Sequence, residues 1–335
     1  VTPTDEAPAE EATAATDTPE APQASADGAL APAQTFVAEL GRVWDVAFAP
    51  NGVLLAAATD GGLWFTPLNG ESATTVATTD PLSSLSWSPN SLFLATGVGN
   101  PRDAQDSVGM VYLWDLAGSE PVMTLAGPEA SVLGVAWSPD GAFVAAGSAD
   151  ERIYIWDVAT GALSTMLGQE ADITSLTWSA DGALLAAAGD DGVVHIWRPA
   201  NGEEVLTINA QADGTTVVRW SPDDTLLATG GDDATVVVWN ATSGAPLVEL
   251  NDLGGTVTSL TWSPDSTMIA AATPPQGDGT DTPVRVWSVQ TGELLHTLTG
   301  PTAIVTGLSW STDDVQLAAG TRDGAMLLWD LPAVP

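Results

Sequence analysis

Two histidines, 43 carboxylates, seven arginines and no cysteine or lysine are the reactive inventory of this 335-residue chain. His195 and His296 lie about 100 residues apart, and no Ser-His-Asp or Cys-His spacing accompanies either. Each therefore reads as a strand or surface histidine, not a general base. The Asp-Asp and Asp-Gly pairs, as at Asp190-Asp191, Asp232-Asp233 and Asp323-Gly324, could be taken for carboxylate dyads. They recur between apolar stretches, where Asp and Gly are the ordinary turn formers. Asp278-Gly-Thr-Asp281 could offer oxygen ligands to Ca²⁺, but its calcium-loop pattern is incomplete. Asp278 and Asp281 are thus weak metal candidates, alongside divalent cations loosely attracted to an acidic surface, and no cofactor is expected. The absence of Cys excludes disulfides, zinc–thiolate sites and thiol catalysis within the chain. Asn240-Ala-Thr242 is a lone N-glycosylation sequon, meaningful if the chain enters a glycosylating compartment.

Charge removes further classes. A formal net charge of −36 repels phosphate backbones and anionic lipid, so nucleic-acid binding and a polybasic membrane mode are not expected. No apolar run approaches the ~18 residues of a membrane-spanning helix. Abundant Thr, Ala and Pro with no Lys suit an extracellular or cell-surface protein. On that reading a signal segment ahead of Val1 has already been removed.

The elements that must position these residues come from a repeat. The first aromatic of each unit is Phe48, Trp87, Trp137, Trp178, Trp220, Trp262 and Trp310. The second is assigned to Phe65, Trp114, Trp156, Trp197, Trp239, Trp287 and Trp329. These make seven units of about 42 residues, the signature of a repeat architecture. Each unit holds four short strands. In one, Ile173–Trp178, Leu184–Ala188, Val193–Trp197 and Val205–Ile208 are separated by turns rich in Asp, Asn and Gly. No segment sustains a helical period.

The pattern resembles the WD40 family of β-propellers over residues 34–335. The resemblance is carried by Trp114-Asp115, Trp156-Asp157 and Trp329-Asp330, by the Ser-Pro-Asp turns at Ser138, Ser221 and Ser263, and by the repeat length. It implies an all-β, seven-bladed propeller that assembles protein partners without catalysing a reaction. The family's Gly-His dipeptides are missing, so its Asp–His–Ser/Thr–Trp hydrogen-bond network cannot form. Trp packing and backbone ladders are expected to stabilise the ring in its place.

The last unit stops after three strands, and residues 35–40 match the missing fourth. The ring should therefore close by joining the chain's two ends, which removes an open sheet edge. Residues 1–33 read as an acidic Ala/Thr/Pro-rich tail, with seven carboxylates and only Val1 and Leu30 as large apolar side chains. Two insertions lie between second and third strands, one with Arg102, Asp103 and Asp106, the other with Asp278 and Asp281. Both decorate one face, and the tail leaves from the other. Extended, the tail could span ~100 Å and touch the insertion-bearing face of another copy.

The favoured partner is therefore another copy, bound head to tail into a filament through Val1, Leu30 and the insertion residues. The alternative is a monomeric surface or periplasmic scaffold for a different protein, with the tail as spacer. An enzyme with a channel-mouth site is a third reading. It would rest on Arg219, which replaces the small residues Ala47, Ser86, Ala136, Thr177, Thr261 and Ser309 of the other units, and on Asp45, although Arg219 reads first as a buried or channel-lining ion-pair member and second as a ligand-contacting group in the channel.

Overall fold

The structure is a computed structural model and describes residues 29–101, 103–105, 107–211, 214–251, 253–275 and 282–332. The described residues form seven four-stranded antiparallel sheets and no helix. The innermost strands are β2 (Val43–Phe48), β6 (Leu82–Trp87), β10 (Val132–Trp137), β14 (Ile173–Trp178), β18 (Thr215–Trp220), β22 (Ser259–Trp262) and β26 (Val305–Trp310). They belong to blades 1 to 7 in that order, and blades 1 to 6 are each a meander of four consecutive strands. In blade 4, β14 is followed by β15 (Leu185–Gly189), β16 (Val193–Arg198) and β17 (Glu203–Asn209). These bounds lie within two residues of the sequence expectation.

Closure follows the expected route. β1 (Gln34–Val37) pairs antiparallel with β28 (Ala325–Asp330), completing the sheet of β26 and β27 (Gln316–Thr321). A second contact was not foreseen. Leu30, expected to meet a partner, is 7% exposed and packs with Leu298, Val305 and Trp329 of its own chain. It forms a parallel bridge to Leu298 at the end of β25 (Leu294–Leu298), the outer strand of blade 6. Leu30 N–H donates to Thr297 O at 2.9 Å, Thr299 N–H donates to Leu30 O at 2.9 Å, and Ala33 N–H donates to Leu328 O at 2.7 Å. Leu30 and Ala33, ahead of the boundary expected at residue 34, are thus part of the packed ring, and they staple blade 6 to blade 7.

The expected second aromatic of blade 1 is corrected. Leu55 pairs with Thr66, as Leu94 pairs with Trp114 and Leu317 with Trp329. Thr66, not Phe65, therefore stands in the tryptophan register. A one-residue slip places Phe65 on the opposite face of the strand, where it meets Trp87 at 6.2 Å between ring centroids. Trp64 fills the blade 7 side instead, tilted against Phe36.

Blade-to-blade packing is apolar and polar at once. The indole N–H groups of Trp87, Trp178 and Trp262 donate to Ala47 O, Ala136 O and Arg219 O of the preceding blade at 3.1, 3.2 and 3.1 Å. Hydroxyls four residues before the inner-strand tryptophan bridge forward. Ser83 Oγ reaches Gly97 O (3.1 Å) and Val132 O (2.6 Å); Thr258 Oγ1 reaches Ala272 O (3.2 Å) and Val305 O (2.6 Å). Thr306 Oγ1 closes the ring, reaching Gly320 O (3.2 Å) and Val43 O (2.8 Å). Part of the histidine network also survives without histidine. Trp239 Nε1 donates to Thr229 Oγ1, which donates to Gln211 Oε1, each at 2.9 Å. Ring cohesion therefore needs more than the tryptophans and ladders expected from sequence.

Candidate functional site

Strand direction sorts the loops onto two faces. Turns between second and third strands, and links between blades, share one face, called here the loop face. The other face carries the Ser-Pro-Asp turns. There, Ser138, Ser179 and Ser221 are buried and donate to Asp140, Asp181 and Asp223 two residues on. The Ser138 hydroxyl and the Ala142 amide hold the Asp140 carboxyl below its usual range. This explains the repeated acidic residues of that face as turn chemistry.

The loop face carries the insertion between β7 (Phe93–Val98) and β8 (Met110–Asp115) in blade 2. Gln105 extends from it over blade 3. Its Nε2 donates to Ala149 O at 2.5 Å and to both carboxylate oxygens of Asp172, on the link into blade 4, at 3.0 Å. Asp103, exposed, accepts from Asn100 Nδ2 at 3.1 Å. Arg102, Asp106, Asp278, Asp281 and Val1 lie outside the described residues. The pinned loop overhangs a carboxylate cluster. Partial burial pushes the Asp172 carboxyl above its ordinary range against the pull of Gln105, and Asp190, Glu151 and Asp150 add to the rise. Among the described residues this cluster does not assemble into a metal site.

Beside the loop lies the mouth of the axial channel, a cavity of about 340 Å³ lined by Trp44, Pro101, Leu133, Ile304, Arg322 and a ring of Ser and Thr. Trp44 Nε1 donates to Asp60 Oδ1 at 2.6 Å, and the Arg322 guanidinium stands 5.9 Å from the Trp44 ring. Apolar and cationic groups thus meet at the centre of an otherwise acidic face.

Asp45 and Arg219 line the channel deeper than the mouth, where the sequence reading would have put an enzyme's site. Asp45 accepts Val46 N–H at 2.9 Å and, from the next blade, Leu85 N–H at 3.0 Å. Burial pushes its carboxyl up to about 6, against the lowering effects of the Leu85 amide, the Arg219 charge and the Val46 amide. Arg219 donates through Nη1 to Ser175 Oγ and to Val218 O, both at 2.8 Å. Burial lowers its pKa and the charge of Asp45 holds it up.

The remaining candidates are dispersed. His195 Nδ1 contacts Glu204 Oε1 at 2.9 Å across neighbouring strands, and Thr207 donates to that carboxylate, not to the imidazole. That order cannot activate the hydroxyl as a nucleophile. His296, on β25, is half-buried, and burial lowers its pKa. Asn240 ends the third strand of blade 5. Its Oδ1 accepts from Thr242 N–H and from the Ser243 N–H and hydroxyl, leaving Nδ2 free of these bonds.

A family model described as "WD domain, G-beta repeat" matches residues 31–65, 119–157, 161–198, 202–240, 247–288 and 292–330. The chain belongs to the WD40 family. The unmatched stretch between residues 65 and 119 holds blade 2, where the insertion interrupts the repeat. WD40 propellers bind protein partners and serve as interaction scaffolds. Among solved structures, a chain in "Crystal Structure of Mitotic Checkpoint Complex" shares this fold with a TM-score of 0.80, at 23% identity over 98% of each chain.

Proposed function

We propose that this WD40 propeller is a non-enzymatic interaction scaffold that receives a cationic protein segment on its loop face. The observation that carries the reading is the pinned insertion. Gln105 holds it across three blades, so a broad ledge stands beside the channel mouth. The carboxylates of Asp150, Glu151, Asp172 and Asp190 repel one another there. A Lys- or Arg-bearing segment relieves that repulsion while its apolar side chains meet Trp44, Leu133 and Ile304 at the mouth. Electrostatic complementarity of this kind speeds encounter and is screened by salt. The test is titration of a fluorescent Arg-rich peptide against the full chain and against Gln105→Ala and Asp172→Asn. Weaker binding in both variants, and weaker binding at high salt, support the reading. Equal binding in all three sinks it.

The narrower version makes the partner another copy, outside the cell, joined head to tail. In support, Leu30 bridges parallel to β25, so the described start of the chain runs towards the insertion-bearing face. The 28 residues before Ala29 could span ~90 Å when extended. Against it stand the tail's seven carboxylates, which must meet an acidic body, and the use of Leu30 inside its own ring. Electron microscopy and sedimentation of the full chain and of a variant lacking residues 1–28 decide. Filaments lost on deletion favour self-assembly, and monomers in both leave a scaffold for a different protein.

A further inference from the structure

We propose that the axial cavity is a binding site for a small monocarboxylate, held by Arg219. This does not depend on what docks at the loop face. The cavity encloses about 450 Å³, the size of a small-molecule site. Asp45 and Arg219 are the ionisable side chains that line it.

Three observations point to an anion. First, Arg219 is a desolvated cation without a contact ion pair. The ion pairs within 4.0 Å among the described residues are Arg152–Glu129, His195–Glu204 and Arg198–Glu203. Buried charge is ordinarily paired. Second, the described residues engage Nη1 only, through Ser175 Oγ and Val218 O. Nε and Nη2 form the free edge of the fork, and that edge matches the two oxygens of a carboxylate. Third, the wall is rich in spare donors. Ser86 Oγ accepts Trp137 N–H at 3.1 Å, and Ser309 Oγ accepts Phe48 N–H at 3.0 Å. Both hydroxyls keep their protons to give, at the same strand position as Arg219. Ser84, 5% exposed and also lining the cavity, has a hydroxyl with no hydrogen-bond partner among the described residues.

Charge sets the valence. Arg219 is the one cation lining the cavity, Asp45 offsets part of its charge and the chain around it carries −36, so a phosphate dianion is disfavoured. The cavity volume limits the ligand to a small molecule.

Isothermal titration of the full chain with sodium acetate at fixed ionic strength tests the site, with inorganic phosphate as contrast. The expected result is saturable one-site acetate binding, weaker or absent for phosphate. Arg219→Met should weaken acetate about tenfold or more, the scale of losing a hydrogen-bonded charge. Arg219→Lys, which keeps the charge and loses the fork, should fall between. Should Arg219→Met fail to fold, the side-chain Nε–H resonances of the seven arginines replace it. One resonance, missing in Arg219→Lys, must move saturably with acetate in the unsubstituted chain. No saturable heat with that chain, unchanged affinity in a folded Arg219→Met, or a static Arg219 resonance each overturns the proposal.

Discussion

Asp45 makes the pH dependence of this ring run partly against the usual direction. Its carboxyl titrates at about 6 in the folded chain, against an ordinary value of 3.8. A raised acid favours its protonated form in the folded state, so the folded chain binds the extra proton between those two values. Ionising Asp45 therefore costs stability above pH 6, and the cost is relieved as pH falls towards 3.8. The full difference amounts to at most about 3 kcal/mol. Between pH 7.5 and 4.5, about 2 kcal/mol of it should be recovered. Other carboxylates obscure this in the unsubstituted chain alone: Asp140 is held below its usual range, and its share is lost on acidification. Asp45→Asn isolates the effect. Urea unfolding followed by tryptophan fluorescence, on both chains at both pH values, gives four stabilities. The prediction is that the unsubstituted chain gains about 2 kcal/mol relative to Asp45→Asn on going from pH 7.5 to 4.5. Asparagine keeps one acceptor for Leu85 or Val46, so its constant penalty cancels in the difference. Parallel pH profiles would refute the reasoning, because they would mean that solvent in the channel hydrates Asp45 as fully as bulk water.

Three further outcomes follow from named contacts. Leu30→Ala empties a buried position between blades 6 and 7 and should cost about 2 kcal/mol in urea unfolding, the low end for core leucines. Ser266 holds φ at 63°, in a turn where Gly141 and Gly182 serve blades 3 and 4. Ser266→Gly should therefore raise stability by up to ~1 kcal/mol, read as a higher urea midpoint. Gln105→Ala should speed amide hydrogen exchange through residues 103–109 and leave blades 4 to 6 unchanged, because its bonds run only to Ala149 and Asp172.

Legibility differed by the range over which each feature is encoded. Blade count, strand bounds and ring closure are local and repeated, so a 42-residue period carries them. Blade 1 escaped because Trp64, Phe65 and Thr66 are consecutive and spacing alone cannot set a register to one residue. The alignment of Leu55 with Leu94 and Leu317 could have done so. The forward-bridging hydroxyls also left a trace: Ser83, Thr258 and Thr306 each stand four residues before the inner-strand tryptophan. Leu30 left none, since a single leucine in an acidic tail does not announce a contact with Leu298. In the channel, Arg219 stood out against its counterparts, whereas the spare donors around it depend on which backbone amides reach across blades.

The change in cohesion bears on function. With histidines missing from the blade interfaces, hydroxyls and Gln211 take up part of their work, and the inner wall becomes a ring of short polar side chains. Short side chains leave the axis open. Larger ones at the position of Arg219 would fill the 450 Å³ that now separates the blades. The same economy operates outside, where the loop face stays acidic beneath the pinned insertion of blade 2. An open axis and a charged rim are two consequences of building the ring from small hydroxyls and turn aspartates. They separate under perturbation: Gln105→Ala should disturb the rim and spare acetate binding in the axis, and Arg219→Met should do the reverse.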